Sequence, residues 1–114
     1  MERDTQVSVK EIESPPALVV NVHGGIETWK GLEAVIKIIE SSVQELLLVS
    51  MKNVDYIDSA GVGKIMAMGY IAKELGKKLR FAGMQPYVRR VFELLDGHHF
   101  VQVFESEQEA LAAE

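Results

Sequence analysis

The sequence predicts an α/β fold: a mixed sheet of four or five strands with an N-terminal hairpin and about four helices. Three observations carry this reading. Short apolar runs alternate with longer stretches of helical periodicity, which is the pattern of βα units and parallel strands. The run Glu45-Leu46-Leu47-Leu48-Val49-Ser50-Met51 is almost continuously apolar, as expected of a central strand buried on both faces. The 114 residues, 47 % of them hydrophobic, suffice for one core, so residues 1–114 read as a single domain without repeats or linkers.

In chain order, Val7, Val9 and Ile12 roughly alternate with polar residues, and Pro15-Pro16 separates them from the apolar run Leu18-Val19-Val20-Asn21-Val22. This is the signature of a hairpin, the second strand ending before Gly24-Gly25. A helix is expected over 29–46, where Leu32, Val35, Ile36 and Ile39 recur on one face and Thr28 is placed to cap it. After the strand at 45–51, a second helix is expected over 59–75, a strand over 79–82, a helix over 86–95, a strand over 100–104 and a helix over 106–113. Asp96 tolerates the left-handed turn that ends a helix, and Gly97 can make one.

Composition narrows the function. The formal net charge is −5, and the two short basic runs, Lys77-Lys78-Leu79-Arg80 and Arg89-Arg90, read as solvated element ends. Direct nucleic-acid binding, which needs clustered cations against phosphate, is therefore not expected. The chain has no cysteine, which removes disulfides, thiolate metal sites and cysteine nucleophiles and fits the cytoplasm. The N-terminus carries no apolar signal region, and no run reaches the roughly 18 apolar residues of a membrane span. His98 and His99, on an approach to a strand, would point to opposite sides, so no metal is expected. Met51, Met66, Met68 and Met84 read as core filler.

The residues that stand out are "YIDSAGVGK", 56–64. Of these, 56–63 are read as a loop leaving the carboxyl end of a strand, where ligands and partners meet in an open α/β sheet. Ser59 looks like the N-cap of the second helix. Ala60, Gly61 and Gly63 strip bulk from its first turn, although a glycine in a helix interior costs roughly 0.5–1 kcal/mol relative to alanine. Such a bare helix start, with exposed N–H groups, suits an anion such as phosphate, and Asp58 before it supplies a carboxylate. Catalytic patterns fail here: Asp58 and Ile65 stand where a P-loop needs glycine and a hydroxyl, Met66 where a dinucleotide fingerprint needs glycine, and Ile57 breaks a nucleophile elbow. No enzymatic activity and no cofactor are expected. The second helix is apolar on more than one side, with Val62, Ile65, Met66, Gly69 and Ala72 on one face and Ala60, Ala67, Met68, Ile71 and Leu75 around another. The surplus is either covered by neighbouring helices or a docking surface beside Ser59.

With "VHGGIE", "LLLVSMKNVDYIDSAGVG" and "AGMQPYVRRVFELL", the chain resembles the STAS-domain family, in particular the bacterial anti-sigma factor antagonists. The resemblance implies the STAS fold, with Ser59 of the Asp-Ser-x-Gly pattern as a phosphorylation site. It further implies an anti-sigma factor serine kinase that uses ATP and Mg²⁺, and a PP2C-like phosphatase that reverses the modification. The antagonist would be substrate, not enzyme: unmodified it binds the anti-sigma factor, and phosphorylated it releases it, so regulating transcription. Glu27, Thr28, Asp58, Ala60, Gly61, Gly63 and Lys64 are the residues expected to meet the partner. Ala60 leaves Ser59 as the only hydroxyl of the pattern. A weak homodimer is left open, as is the alternative of a non-switching STAS scaffold subunit in a stress-signalling or transport-ATPase complex.

Overall fold

The computed structural model describes residues 6–13, 15–26 and 32–113. Five strands form one mixed sheet in the order β1-β2-β3-β4-β5, so the sheet follows the chain. The hairpin pairs β1 (Gln6–Glu13) antiparallel to β2 (Pro16–Ile26), with Val7 opposite Val22, Val9 opposite Val20 and Ile12 opposite Ala17. Strand β2 runs past the expected boundary at Gly24-Gly25. Gly24 takes φ 95°, and the pairing with β3 slips beside it, so the glycines form an irregularity inside the strand instead of ending it.

Helix α1 spans Glu33–Ser41 and buries Val35 and Ile39, with Leu32 buried just before it. The expected helix over 29–46 is thus too long at its C-terminal end. Ser41 Oγ donates to the Lys37 carbonyl, Ser42 turns extended at ψ 137°, and Ser42 Oγ accepts from the Gln44 amide. Paired serines offer the backbone these local partners in place of another helical turn. Thr28 and Trp29 lie outside the described residues.

Strand β3 (Leu46–Ile57) holds the middle of the sheet, parallel to β2 and β4, with Leu47, Leu48 and Met51 fully buried. It continues six residues beyond Met51. Lys52, Asn53 and Asp55 are exposed while Val54 and Ile57 are buried, so the strand passes from two covered faces to one. Helix α2 (Ser59–Glu74), strand β4 (Lys78–Ala82), helix α3 (Pro86–Leu94), strand β5 (Gln102–Phe104) and helix α4 (Glu107–Ala112) complete the series.

Between α3 and β5 lies a 3₁₀ turn, Gly97–His99, that bears out one expectation, decides between Asp96 and Gly97, and corrects another. The left-handed residue is Asp96, at φ 62°, while Gly97 answers a different need: a Cβ there would stand 2.4 Å from the Phe92 ring. His98 and His99 are not on an extended approach to the strand; the turn brings their rings to 4.1 Å between centroids. Phe100 ends that turn and is exposed, so β5 starts two residues later than expected.

The sheet's two faces are unequal. One carries Val20, Val22, Leu47, Val49, Met51, Leu79 and Phe81 into the main core with α1, α2 and α3. The other buries Val19, Leu48 and Ala82 under Ala110 and Leu111 of α4.

Candidate functional site

Strand β3 ends at Ile57 and α2 begins at Ser59, so the joint between them is Asp58 alone. The expectation of a loop over 56–63 is corrected accordingly: Tyr56 and Ile57 are strand, while Ser59 starts the helix that was expected over 59–75. Asp58 is extended, at φ −115° and ψ 179°, and is itself the N-cap. Its Oδ1 accepts from the Gly61 amide at 2.8 Å, and its carbonyl accepts from the Val62 amide at 3.0 Å. A carboxylate in this position satisfies a first-turn N–H and opposes the positive end of the helix dipole.

Ser59 is therefore not the cap, against the sequence expectation. It is the first helical residue, and it is exposed. The structural reason is that Asp58 and Ser59 are both good capping residues, and the end of β3 decides between them by leaving Asp58 as the last extended position. The hydroxyl is thereby left out of the cap and displayed at the head of the helix.

The rest of the cluster divides by helical phase. Gly61 and Val62 turn into the core, whereas Ala60 and Gly63 face out. A Cβ placed on Gly63 would meet nothing within 4 Å, so no packing requires the glycine. Lys64 is half-buried. Further along, Met68 is buried with Ile65 and Ala72, which removes it from the second apolar face; Ile71 packs partly against the core; Ala67 and Leu75 remain exposed.

The outward face of α2 also includes Tyr70, 67 % exposed, which the sequence reading did not single out. Eleven residues are close to three turns at 3.6 residues per turn, so Tyr70 stands almost in line with Ser59, with Gly63 between them. The spacing was available in the sequence as a signal. Tyr56, three residues before Ser59, stacks on Tyr87 of the first turn of α3 with ring centroids 6.3 Å apart and planes at 22°. This ties the start of α3 to the end of β3. Glu27 and Thr28 lie outside the described residues; β2 ends at Ile26, which pairs with Ile57 at the end of β3.

The sequence profile of the STAS domain matches residues 8–110, nearly the whole chain. The chain belongs to the STAS-domain family. No curated protein matches its sequence. Among solved structures, this STAS domain is similar to an anti-sigma factor antagonist from Mycobacterium paratuberculosis, with a TM-score of 0.80 and 19 % identity over 95 % of this chain and 92 % of that one. It is also similar to the phosphorylated form of the Bacillus cell fate determinant SpoIIAA, with a TM-score of 0.65 and 14 % identity over 93 % and 96 % of the two chains. A sulfate transporter family protein from Wolinella succinogenes shares the fold too, with a TM-score of 0.72 and 16 % identity over 84 % and 82 %. The hairpin, the parallel strands and the helices of this chain are thus the STAS fold. No helix among the described residues is long and apolar enough to cross a membrane. Nor does any group of three or more acidic or histidine side chains among them stand ready to hold a metal ion.

Proposed function

We propose that this STAS domain is a phosphorylation-controlled anti-sigma factor antagonist. Unmodified, it binds an anti-sigma factor serine kinase through the head and outward face of α2; phosphorylated on Ser59 by that kinase, it lets go, and a PP2C-like phosphatase resets it. It acts as a substrate and binding partner in the cytoplasm, not as an enzyme. The observation that carries the reading is the division of labour at 58–59: Asp58 caps the helix and leaves the Ser59 hydroxyl exposed beside Ala60 and Gly63. The likeness to an anti-sigma factor antagonist and to the phosphorylated form of SpoIIAA supports it.

Charge explains the release. A phosphate adds about −1.5 to −2 next to the Asp58 carboxylate, and a partner packed over both would desolvate like charges. In the proposed site, Glu27 and Thr28 join Asp58, Ala60, Gly63 and Lys64 in meeting the partner, whereas Gly61, expected among them, is buried and serves the cap through its amide.

The test is calorimetric titration of wild type, Ser59→Ala and Ser59-phosphorylated protein into the serine kinase encoded nearest to its gene, with and without ATP. Ser59→Ala should bind as wild type and stay bound in ATP, whereas the phosphorylated protein should bind at least tenfold more weakly. Equal affinity of all three would replace the switch with the second reading, a non-switching scaffold subunit, which the likeness to a sulfate transporter family protein keeps in view.

A further inference from the structure

The α4 face of the sheet holds a buried cation that no carboxylate among the described residues pairs. Arg80 lies on β4 opposite Leu48 and is only 3 % exposed. Its Nη1 donates to the Ala110 carbonyl of α4 at 2.7 Å, and its Cζ lies 5.9 Å from the centroid of the Phe104 ring. Its Nε is buried without a partner, and among the described residues no carboxylate comes within ion-pair distance. An arginine cannot shed its proton to escape burial. A full charge here thus faces a carbonyl dipole and a ring, and neither neutralises it.

Beside Arg80 opens a cavity of about 510 Å³ between α4, the start of β3 and the β1–β2 turn, a size usual for small-molecule sites. Its wall joins two cations, Arg80 and Lys78, to the apolar side chains of Val43, Leu46 and Leu111; Glu45, exposed to solvent, is the carboxylate among its described lining residues. We propose that this cavity binds a small amphipathic anion, a carboxylate on a short aliphatic body, with the head group on Arg80 and Lys78 and the chain along Val43, Leu46 and Leu111. The guanidinium keeps N–H donors beyond the one spent on the Ala110 carbonyl, and the ligand supplies a countercharge that no described residue brings within ion-pair distance. The site lies on the sheet face opposite the main core that packs α2, so it is independent of Ser59.

The experiment uses the full-length ¹⁵N-labelled chain and sodium octanoate as the probe, with octanol as the uncharged control and octyl phosphate as the alternative head group. Octanoate should shift the amide signals of residues 43–46, 78–80 and 111–113 saturably, with Kd at or below about 1 mM. Octanol should shift them little. Arg80→Met should weaken octanoate at least tenfold and Lys78→Met a few-fold; should Arg80→Met fail to fold, the exposed Lys78 and the octanol control decide alone. Tighter binding of octyl phosphate would keep the site and reassign its head group. Equal binding of octanol, unchanged affinity in a folded Arg80→Met, or the absence of saturable shifts with both anions would overturn the proposal.

Discussion

The capping arrangement makes a sharp prediction, because two adjacent residues with nearly equal intrinsic capping ability are placed in unlike roles. Asp58→Ala removes the 2.8 Å, part-buried bond to the amide of the buried Gly61. A lost N-cap costs about 0.5–2 kcal/mol, and the lost charge at the helix N-terminus adds about 0.3–1 kcal/mol. The expected destabilisation is therefore about 0.8–3 kcal/mol. Asp58→Asn keeps an acceptor oxygen and loses only the charge, so it should fall to about 0.3–1 kcal/mol. Ser59→Ala removes no cap and should stay within about 0.5 kcal/mol of wild type, as surface substitutions do. Urea denaturation at neutral pH, followed by circular dichroism with a common m-value, measures all three. A Ser59→Ala cost equal to that of Asp58→Ala, or a neutral Asp58→Ala, would refute the assignment of the cap to Asp58.

The two exposed or half-buried glycines of α2 should respond oppositely to alanine. Gly63→Ala finds open space and should stabilise by about 0.5–1 kcal/mol in thermal melts, while adding a methyl to the proposed docking face and weakening the kinase complex. Gly69→Ala would put a Cβ 2.6 Å from Val101 Cγ1 and 2.9 Å from the Phe100 carbonyl oxygen, so a loss of about 1–3 kcal/mol is expected in the same melts. Tyr70→Ala should leave the melting temperature unchanged but loosen the kinase complex by at least about tenfold in calorimetry, as an exposed aromatic anchor would. Asp96→Gly relieves a left-handed residue at φ 62° and should raise stability by a few tenths of a kcal/mol to about 1 kcal/mol in urea titrations.

Where a single physical pattern dominated, the sequence was sufficient. The apolar run before Met51 could only be buried on both faces, and Val35 and Ile39 could only share one helical face, so the central strand and the first helix were legible. Boundaries were lost where two tendencies competed. Lys52-Asn53 looks like the end of a strand because it is polar, yet β3 merely leaves the cover on one side there. Gly24-Gly25 looks like a turn but makes an irregularity between paired strands, which only the register of β3 can specify. At the candidate site the residue types pointed to the right helix start, but the choice between Asp58 and Ser59 as cap depends on where the strand releases the chain, a tertiary outcome. Arg80 read as a solvated element end, since nothing local announces that α4 will close over it.

The single-residue joint at Asp58 also constrains what kind of signal this edge of the protein can send. Many regulatory modifications act on slack: a wandering segment is gathered up when charge is added, and the gain or loss of order is the message. Here there is no slack to gather. Ile57 is fixed in the strand that carries the sheet, Ser59 in the helix that packs on it, and a carboxylate clamps the angle between them. A group attached at Ser59 is held out as if on a bracket, and its effect on an approaching surface has to come from bulk and field alone. Lengthening the bracket by one inserted glycine between Ile57 and Asp58 would leave every side chain of the helix in place by name while unfastening its direction.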